Sequence, residues 1–173
     1  MAQAGGGVVL MNSIHHLDAV RFMTGLDFTR AAGQIATLAA DVEVEDTASA
    51  SVVLSNGAIL SLAAAAHSPG ARGNESIEID GDKGRIDIHD IYGAPSIRLY
   101  NAAMQKWTDV PTPKKDAYAA MLGDFAAAVR DGGEPTATAS DAFAAISLVQ
   151  AIYESSRTGR AVNIGSSEAN SSR

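Results

Sequence analysis

Apolar and polar side chains alternate along residues 47–54, as they do in a β-strand with one buried face. One side of that stretch consists of Ala48, Ala50, Val52 and Leu54, and the other of Thr47, Ser49 and Ser51. Asn56 and Gly57 follow, and both residue types tolerate the positive φ angles of a tight hairpin turn. The pattern therefore predicts two antiparallel strands, over 47–54 and 58–66, joined by that turn.

The same period of two recurs elsewhere in the chain. Strands are predicted over 28–38, 76–80, 85–89 and 96–100, with a short edge strand over 160–164. Residues 101–114 are interpreted as a connection that Trp107 anchors to the sheet. Strands joined by hairpins indicate an antiparallel sheet, here of about five to seven strands.

Three stretches repeat their apolar residues at helical spacing instead. Helices are predicted over 12–24, 117–131 and 140–158, and a glycine follows each of them. The order of a helix, then strands, then two helices predicts an α+β fold, an open, mostly antiparallel mixed sheet with helices packed on one face. We expect one domain over 8–164, followed by a small polar tail over 165–173 that frays.

The composition narrows the classes of partner. The chain of 173 residues has a formal net charge of -7 and a sequence pI near 4.9, which argues against nucleic acid or an anionic membrane surface. Cysteine is absent, so disulfides, thiolate metal sites and cysteine nucleophiles are excluded. No apolar run approaches the roughly 20 residues of a membrane span, and no signal peptide is recognised. A cytoplasmic protein that does not insert in membranes is expected.

Two of the four histidines, His15 and His16, are adjacent at the start of the first predicted helix. The positive end of the helix dipole favours a neutral imidazole there, and a neutral ring can act as a general base. Asp18, three residues after His15, is placed to orient the ring. The alternative is that these histidines only cap or border the helix. Adjacent helical residues diverge by about 100°, so the pair cannot chelate a metal together, and no metal site is predicted.

The sequence contains neither of the two common nucleotide-binding glycine motifs. No G-x-G-x-x-G opens a helix after a strand, and no G-x-x-x-x-G-K-[ST] occurs. The run Gly5–Gly7 precedes an apolar stretch and is interpreted as a flexible entry to the domain. The sequence therefore predicts no cofactor-binding residues in this chain.

The stretch GGGVVLMNSIHHLD resembles the motif that opens the C-terminal domain of the glucose–fructose oxidoreductase, inositol dehydrogenase and MocA (Gfo/Idh/MocA) family. In that family, small residues lead an apolar strand into a helix that bears H-x-x-D, here His15 and Asp18. The stretches EDTASASVVLSNGAILSL and IEIDGDKGRIDI resemble the family's two hairpins, and the last two predicted helices resemble its closing helices. These pieces come in the family's order and at its spacing.

The resemblance implies a function. Family members are NAD(P)-dependent oxidoreductases of sugars, polyols and related hydroxy or keto compounds, in which a Rossmann domain carries the dinucleotide fingerprint and a catalytic lysine. It implies that His15 takes part in proton transfer, that Asn12 and His16 contact substrate, and that Asp18 orients His15. Met11 stands where the family often has aspartate, which puts a carboxylate-assisted relay in doubt.

These residues contain no Rossmann domain, so we expect one in cis or in trans. The chain alone is expected to bind no cofactor and to transfer no hydride, while NAD or NADP is implied for the full-length enzyme. The alternative is a stand-alone, non-catalytic ligand-binding or dimerisation module on the same scaffold.

A homodimer or higher homo-oligomer is expected to form through the uncovered face of the sheet. The polar residues placed on that face are Thr47, Ser49, Ser51, Ser61, Glu78, Asp80, Arg85 and Asp87. Arg85 is expected to meet acidic residues of the other subunit across a two-fold axis. The alternative is a polar face that remains solvated.

Overall fold

The computed structural model of the chain describes residues 5–69, 75–91, 95–112 and 116–165. The tail predicted to fray therefore lies outside the described residues except for Gly165. The helical elements are a π-helical turn (Val9–Ser13), α1 (Ile14–Thr24), α2 (Ala117–Asp131) and α3 (Ala139–Thr158). The strands are β1 (Phe28–Ala36), β2 (Thr47–Leu54), β3 (Ile59–Ala65), β4 (Ser76–Gly81), β5 (Gly84–His89), β6 (Ser96–Asn101), β7 (Lys106–Val110) and β8 (Val162–Asn163).

The chain divides into two compact units. The first unit consists of the described residues up to Ser68 and from Ala137 onward, and the second of those from Pro69 to Thr136. Each unit contains one four-stranded sheet. The prediction of one domain over 8–164 stays a prediction, because two compact units can belong to one domain.

The sheet of the first unit, here the first sheet, has the strand order β3-β2-β1-β8 with antiparallel pairing throughout. Ser51 in β2 lies opposite Ala32 in β1 and Ser61 in β3. The apolar side of β2 faces the core, as its alternation predicts, with Ala48, Ala50, Val52 and Leu54 all buried. The polar side is the open face of this sheet, since Ser49, Ser51 and Ser61 are exposed.

The core of the first unit lies between the buried face of its sheet and a layer made by the π-helical turn, α1 and α3. The largest fully buried side chains come from all three helical elements and from β2: Val9, Leu17, Val52, Leu148, Val149 and Ile152. A Cβ on Gly33 would lie 3.0 Å from the Cβ of Ala50 and 3.1 Å from Ile152. The helix and the sheet therefore approach closely, as the small side chains of this chain allow.

A buried carboxylate fixes the connection between β1 and β2. Asp46 accepts hydrogen bonds from the backbone N–H groups of Leu38, Ala39 and Ala40, at 2.9, 2.7 and 2.8 Å, and from the Thr47 hydroxyl. The three backbone bonds, above all the one from Leu38, hold the pKa of Asp46 well below its usual value.

The sheet of the second unit, here the second sheet, has the order β4-β5-β6-β7, and every strand pairs with its neighbour in sequence. β7 corrects the interpretation of 101–114 as a connection. Trp107 lies within that strand, opposite Tyr100, with the two ring centroids 5.3 Å apart and the Arg98 guanidinium 4.6 Å from the Trp107 ring. A strand with one half-buried residue between exposed ones has little alternation to reveal it.

Arg85 forms ion pairs within its own sheet. Its guanidinium contacts Glu78 and Asp80 on β4 and Asp87 on β5, the last at 2.5 Å. The expected contact of Arg85 with acidic residues of another subunit stays a prediction.

Helix α2 is capped by Asp116, whose carboxylate accepts from the N–H groups of Tyr118 and Ala119, and none of the residues of α2 is buried. The apolar stripe predicted for this helix is exposed, namely Met121, Leu122, Phe125 and Val129. The α+β class and the antiparallel pairing are confirmed, but the strands form two sheets instead of one, and the described pairings include no parallel pair. Two of the three predicted helices, α1 and α3, belong to the helical layer on one face of the first sheet.

Candidate active site on the first helix

The predicted site residues lie on one continuous helical run at the start of the first unit. The run opens as a π-helical turn, in which the N–H of Ile14 donates to the carbonyl of Val9, five residues earlier. It continues as α1 and ends at Gly25, which adopts a left-handed conformation (φ 66°). Single π turns inside helices occur frequently at functional sites.

The structure places Asn12 in the π-helical turn and His15, His16 and Asp18 in α1. Asn12 and His15 are exposed, whereas His16 and Asp18 are half-buried. The Nδ1 atom of His16 lies 3.4 Å from the backbone carbonyl oxygen of Asn12. The structure thus brings Asn12 and His16 together, while His15 and Asp18 have the three-residue spacing of neighbours on one helix face.

A buried glutamate that the sequence did not single out holds the start of this helix. Glu45 is 4% exposed. Its carboxylate accepts from the N–H of Gly7 at 2.8 Å, from the N–H of Val9 at 3.1 Å and from the hydroxyl of Tyr153 at 2.8 Å. Its backbone carbonyl accepts from the N–H of Val8 at 2.9 Å. We call this group of contacts the Glu45 anchor.

The Glu45 anchor explains two of the three glycines. A Cβ on Gly7 would overlap the backbone carbonyl of Glu45, and one on Gly6 would overlap the Tyr153 hydroxyl and the Leu10 side chain. Both glycines are buried. The interpretation of Gly5–Gly7 as a flexible entry is therefore wrong, because Gly7 is closely approached by the Glu45 backbone and Gly6 by the Tyr153 and Leu10 side chains.

Tyr153, on α3, reaches the anchor from the opposite side. Burial raises the pKa of its hydroxyl, and the hydrogen bond to the Glu45 carboxylate and the negative charge of that group raise it further. The hydroxyl therefore remains a donor to Glu45 through the physiological pH range.

The far end of α1 is also fixed. The Arg21 guanidinium contacts Asp27 at 2.9 Å and Asp141 at 2.5 Å. Asp141 is also the third residue of α3 and forms a reciprocal capping box with Thr138. The hydrogen bonds of Asp141 with Thr138, and then its contact with Arg21, lower the pKa of Asp141. Burial acts to lower the pKa of Arg21, but the hydrogen bonds and charges of Asp141 and Asp27 outweigh burial, so that this pKa is raised. Helix α1 is thus held at both ends within the first unit.

This arrangement presents two imidazoles and an amide on a rigid helix. An imidazole in neutral form can accept a proton from a substrate hydroxyl, and an asparagine can hydrogen-bond a second hydroxyl. No group of three or more metal-ligating side chains occurs among the residues that the structure describes. None of the helices in the described part of the chain is both long and apolar enough to cross a membrane.

A separate hollow of about 590 Å³ lies on the first sheet. Its lining includes Gln34, Ser49, Ser51, Ser61 and Arg160, and it contains none of the predicted site residues. Ser49, Ser51 and Ser61 belong to the sheet face that is expected to form an interface.

The first unit is an α+β unit in which one helix of the layer on the sheet, α1, bears His15 and Asp18. Residues 1–164 match the C-terminal alpha/beta domain of the Gfo/Idh/MocA oxidoreductase family. The chain belongs to that family.

Individual relatives agree with this assignment. The chain is 29% identical over 168 residues to D-apiose dehydrogenase of Paraburkholderia graminis, a match that covers 90% of this chain and 44% of the relative. It is 25% identical to aldose-aldose oxidoreductase of Caulobacter crescentus, solved with glycerol, with a TM-score of 0.82 over 94% of this chain and 49% of that one. WlbA dehydrogenase of Bordetella pertussis, solved with NADH and UDP-GlcNAcA, shares the fold (TM-score 0.74, 21% identity, 93% and 46% covered). The chain thus spans about half the length of these relatives.

Proposed function

We propose that this chain is the substrate-binding and oligomerisation part of an NAD(P)-dependent oxidoreductase that acts on a sugar, a polyol or a related hydroxy or keto compound. The observation that supports it is the histidine-bearing helix, held at both ends, in a chain that matches the family's C-terminal domain over residues 1–164. His15 is the proposed catalytic residue, Asn12 and His16 bind substrate, and Asp18 orients His15.

The substrate class is supported by the relatives. D-apiose dehydrogenase is named for a sugar, and the Caulobacter crescentus enzyme is named for aldoses and was solved with glycerol. Vicinal hydroxyls are common to these compounds. An exposed imidazole and an exposed amide on one helix are suited to such hydroxyls, since both groups can accept and donate hydrogen bonds.

In the proposed mechanism, the neutral ring of His15 accepts the proton of the hydroxyl that is oxidised, and His16 and Asn12 bind neighbouring hydroxyls. The nicotinamide cofactor, when bound by a Rossmann domain in cis or in trans, supplies the hydride acceptor. No residue of this chain is assigned to hold that cofactor, because the chain has no dinucleotide-binding glycine motif. The chain alone is therefore proposed to bind substrate without turning it over.

The first test is ligand binding to the chain itself. Aldoses, polyols and glycerol at millimolar concentration are titrated into the ¹⁵N-labelled protein, and amide shifts are followed by NMR. We expect concentration-dependent shifts centred on residues 12–18. Shifts confined to other regions, or none with any of these compounds, would contradict the proposed site.

The second test separates the two histidines in the enzyme assembled with its Rossmann domain. His15→Ala is expected to lower kcat by about 10²–10⁴-fold, the usual contribution of a positioned acid–base group. The matched variant His16→Ala is expected to raise KM more than it lowers kcat, because it removes a binding contact. An unchanged rate for His15→Ala would reduce that residue to a helix-border role.

We further propose that the chain associates as a homodimer or higher homo-oligomer through the open face of the first sheet. A row of small residues crosses that face, with Ala32, Ser51 and Ser61 in register on β1, β2 and β3. Small side chains there, which also line the hollow described above, leave room for the side chains of a second sheet to approach. A specific interface of this kind buries at least about 1,000 Å² in total.

A further inference from the structure

We infer that Glu45 is a positioning residue, whose carboxylate sets the place of the helix that bears His15 and His16. The consequence of this positioning for catalysis rests on the proposed function. The contacts of the Glu45 anchor do not depend on that function, and the experiment below measures their effect on the histidines without any turnover.

Several backbone N–H groups at the start of the helix donate hydrogen bonds to one residue, Glu45. Three consecutive backbone N–H groups, those of Gly7, Val8 and Val9, donate to Glu45, the first and third to its carboxylate and the second to its carbonyl. Gly7 precedes the helix, Val8 is its N-cap and Val9 is its first residue. The N–H groups of Val8 and Val9 lie where a helix has no partners of its own for them. The usual local cap is absent, since no side-chain cap bond is formed at the N-terminus of the π-helical turn or of α1.

The chemistry requires a carboxylate rather than an amide. All three partners of the Glu45 side chain, two N–H groups and the Tyr153 hydroxyl, are donors. A glutamine would place its NH₂ group against at least one of these donors, because it has a single acceptor oxygen. The negative charge is also favoured by the positive end of the helix dipole. A buried charge is costly unless it is hydrogen-bonded, and here the bonds are present.

The effect reaches the histidines through the backbone. Residues 9–24 form one helical run, so that a shift at its first turn moves His15 and His16 with it. The run cannot slide toward the anchor, because Gly6 and Gly7 already lie in close contact with Tyr153 and Glu45. In an enzyme, a misplacement of about 1 Å can cost about 100-fold in rate.

The test compares Glu45→Gln with Asp46→Asn in the 173-residue chain. Asp46 is a matched control because it is the adjacent residue, is equally buried, and its carboxylate bonds to residues 38–40 and Thr47 instead of the helix. Ring Cε1–H signals of the histidines and hydrogen exchange of the Gly7 and Val9 amides are recorded by NMR. Thermal unfolding is measured in parallel.

Glu45→Gln is expected to shift the ring signals of His15 and His16 and to speed exchange at Gly7 and Val9 by about tenfold, the scale of a lost bond to a charged acceptor. Asp46→Asn is expected to lower thermal stability while leaving both ring signals in place. Tyr153→Phe removes one donor and is expected to give smaller shifts in the same direction, which keeps the test decisive if Glu45→Gln does not fold. The inference would be overturned if the ring signals did not move in Tyr153→Phe and in a folded Glu45→Gln. It would also be overturned if they moved as far in Asp46→Asn. If His15→Ala left turnover unchanged in the assembled enzyme, the proposed function would be overturned, but the positioning effect of Glu45 on the helix would still stand.

Discussion

Glu45 and Asp46 are neighbours in the chain, both are buried, and each carboxylate binds a different segment of backbone. Glu45 binds the start of the first helix, and Asp46 binds the connection after β1. Two adjacent acids just before β2 therefore fix two separate segments of the chain.

Asp46 makes the stability of the protein depend on pH in the acidic range. Its pKa is lowered in the folded chain, chiefly by the bond from the Leu38 amide, whereas an unfolded aspartate titrates near about 3.9. The stabilisation is therefore complete above about pH 4 and is lost as the pH falls further. We expect Asp46→Asn to lower the free energy of unfolding in urea at pH 7, and the difference from the parent chain to shrink as the pH falls below 4.

The control for this experiment is Asp131→Asn. Asp131 is exposed and its pKa is also lowered, by the Arg130 guanidinium. An exposed pair contributes little to stability, so this variant should unfold with the parent chain at every pH. A constant difference between Asp46→Asn and the parent from pH 7 down to pH 2 would contradict the titration argument.

The parts of the candidate site were predictable from the sequence to different degrees. The polar cluster at the predicted helix start is visible in the sequence and includes Asn12, His15, His16 and Asp18, whose roles stay a prediction. Glu45 was not predictable, since it lies 36 to 38 residues from the amides it binds and nothing in the periodicity marks a carboxylate as buried. Its signal in hindsight is the glycine run, which indicates that another backbone lies close by.

At the scale of elements, the first helical run starts at Val9, three residues before the predicted start at residue 12. The reason is that Glu45 replaces the local cap, so the helix can begin earlier than its own side chains allow. Strand β2 was predicted over its observed bounds because one face is buried and the other exposed along its whole length. Strand β7, at the edge of its sheet, lacks that contrast.

Helix α3 shows a local cap whose contribution is measurable. Thr138 accepts from the Asp141 amide and Asp141 accepts from the Thr138 amide. Thr138→Ala is expected to lower the free energy of unfolding by about 1 kcal/mol, the typical value for a lost N-cap. Chemical denaturation followed by circular dichroism measures it.

A suitable comparison is Thr158→Ala at the other end of the same helix. Its hydroxyl only bonds the Glu154 carbonyl on an exposed surface, so the expected change is within about 0.5 kcal/mol. Equal losses in the two variants would show that the capping box contributes nothing beyond ordinary helix propensity.

At the scale of the whole molecule, alternation predicted the faces of the strands but not their distribution over two sheets. Each hairpin is encoded locally, in turn residues such as Asn56 and Gly57. The pairing of β1 with β8 joins residues more than 130 positions apart and depends on tertiary packing, which no local pattern specifies.

The open face of the first sheet gives a prediction for the assembled state. Light scattering after size exclusion at micromolar concentration should give a dimer or higher multiple of the 17.8 kDa chain. Ser51→Arg, at the centre of the row of small residues, should give a monomer, because a long charged side chain prevents close approach of two sheets. Thr108→Arg, on an exposed position of the second sheet, should keep the parent mass. A monomeric parent chain would contradict association through this face.

The path of the chain through its two sheets also sets an order in which they can be completed during synthesis. The second sheet pairs only successive strands, whereas β1 needs α3 and β8 from the end of the chain. Local pairings form faster than distant ones. The ribosome, at about 5–20 residues per second, takes roughly 5–20 s to travel from the end of β3 to the end of α3. Throughout that interval α3 is missing from the helical layer on the inner face of β1–β3. The small side chains of this face, such as Ala48 and Ala50, limit the apolar surface that it exposes to other nascent chains until α3 has been synthesised.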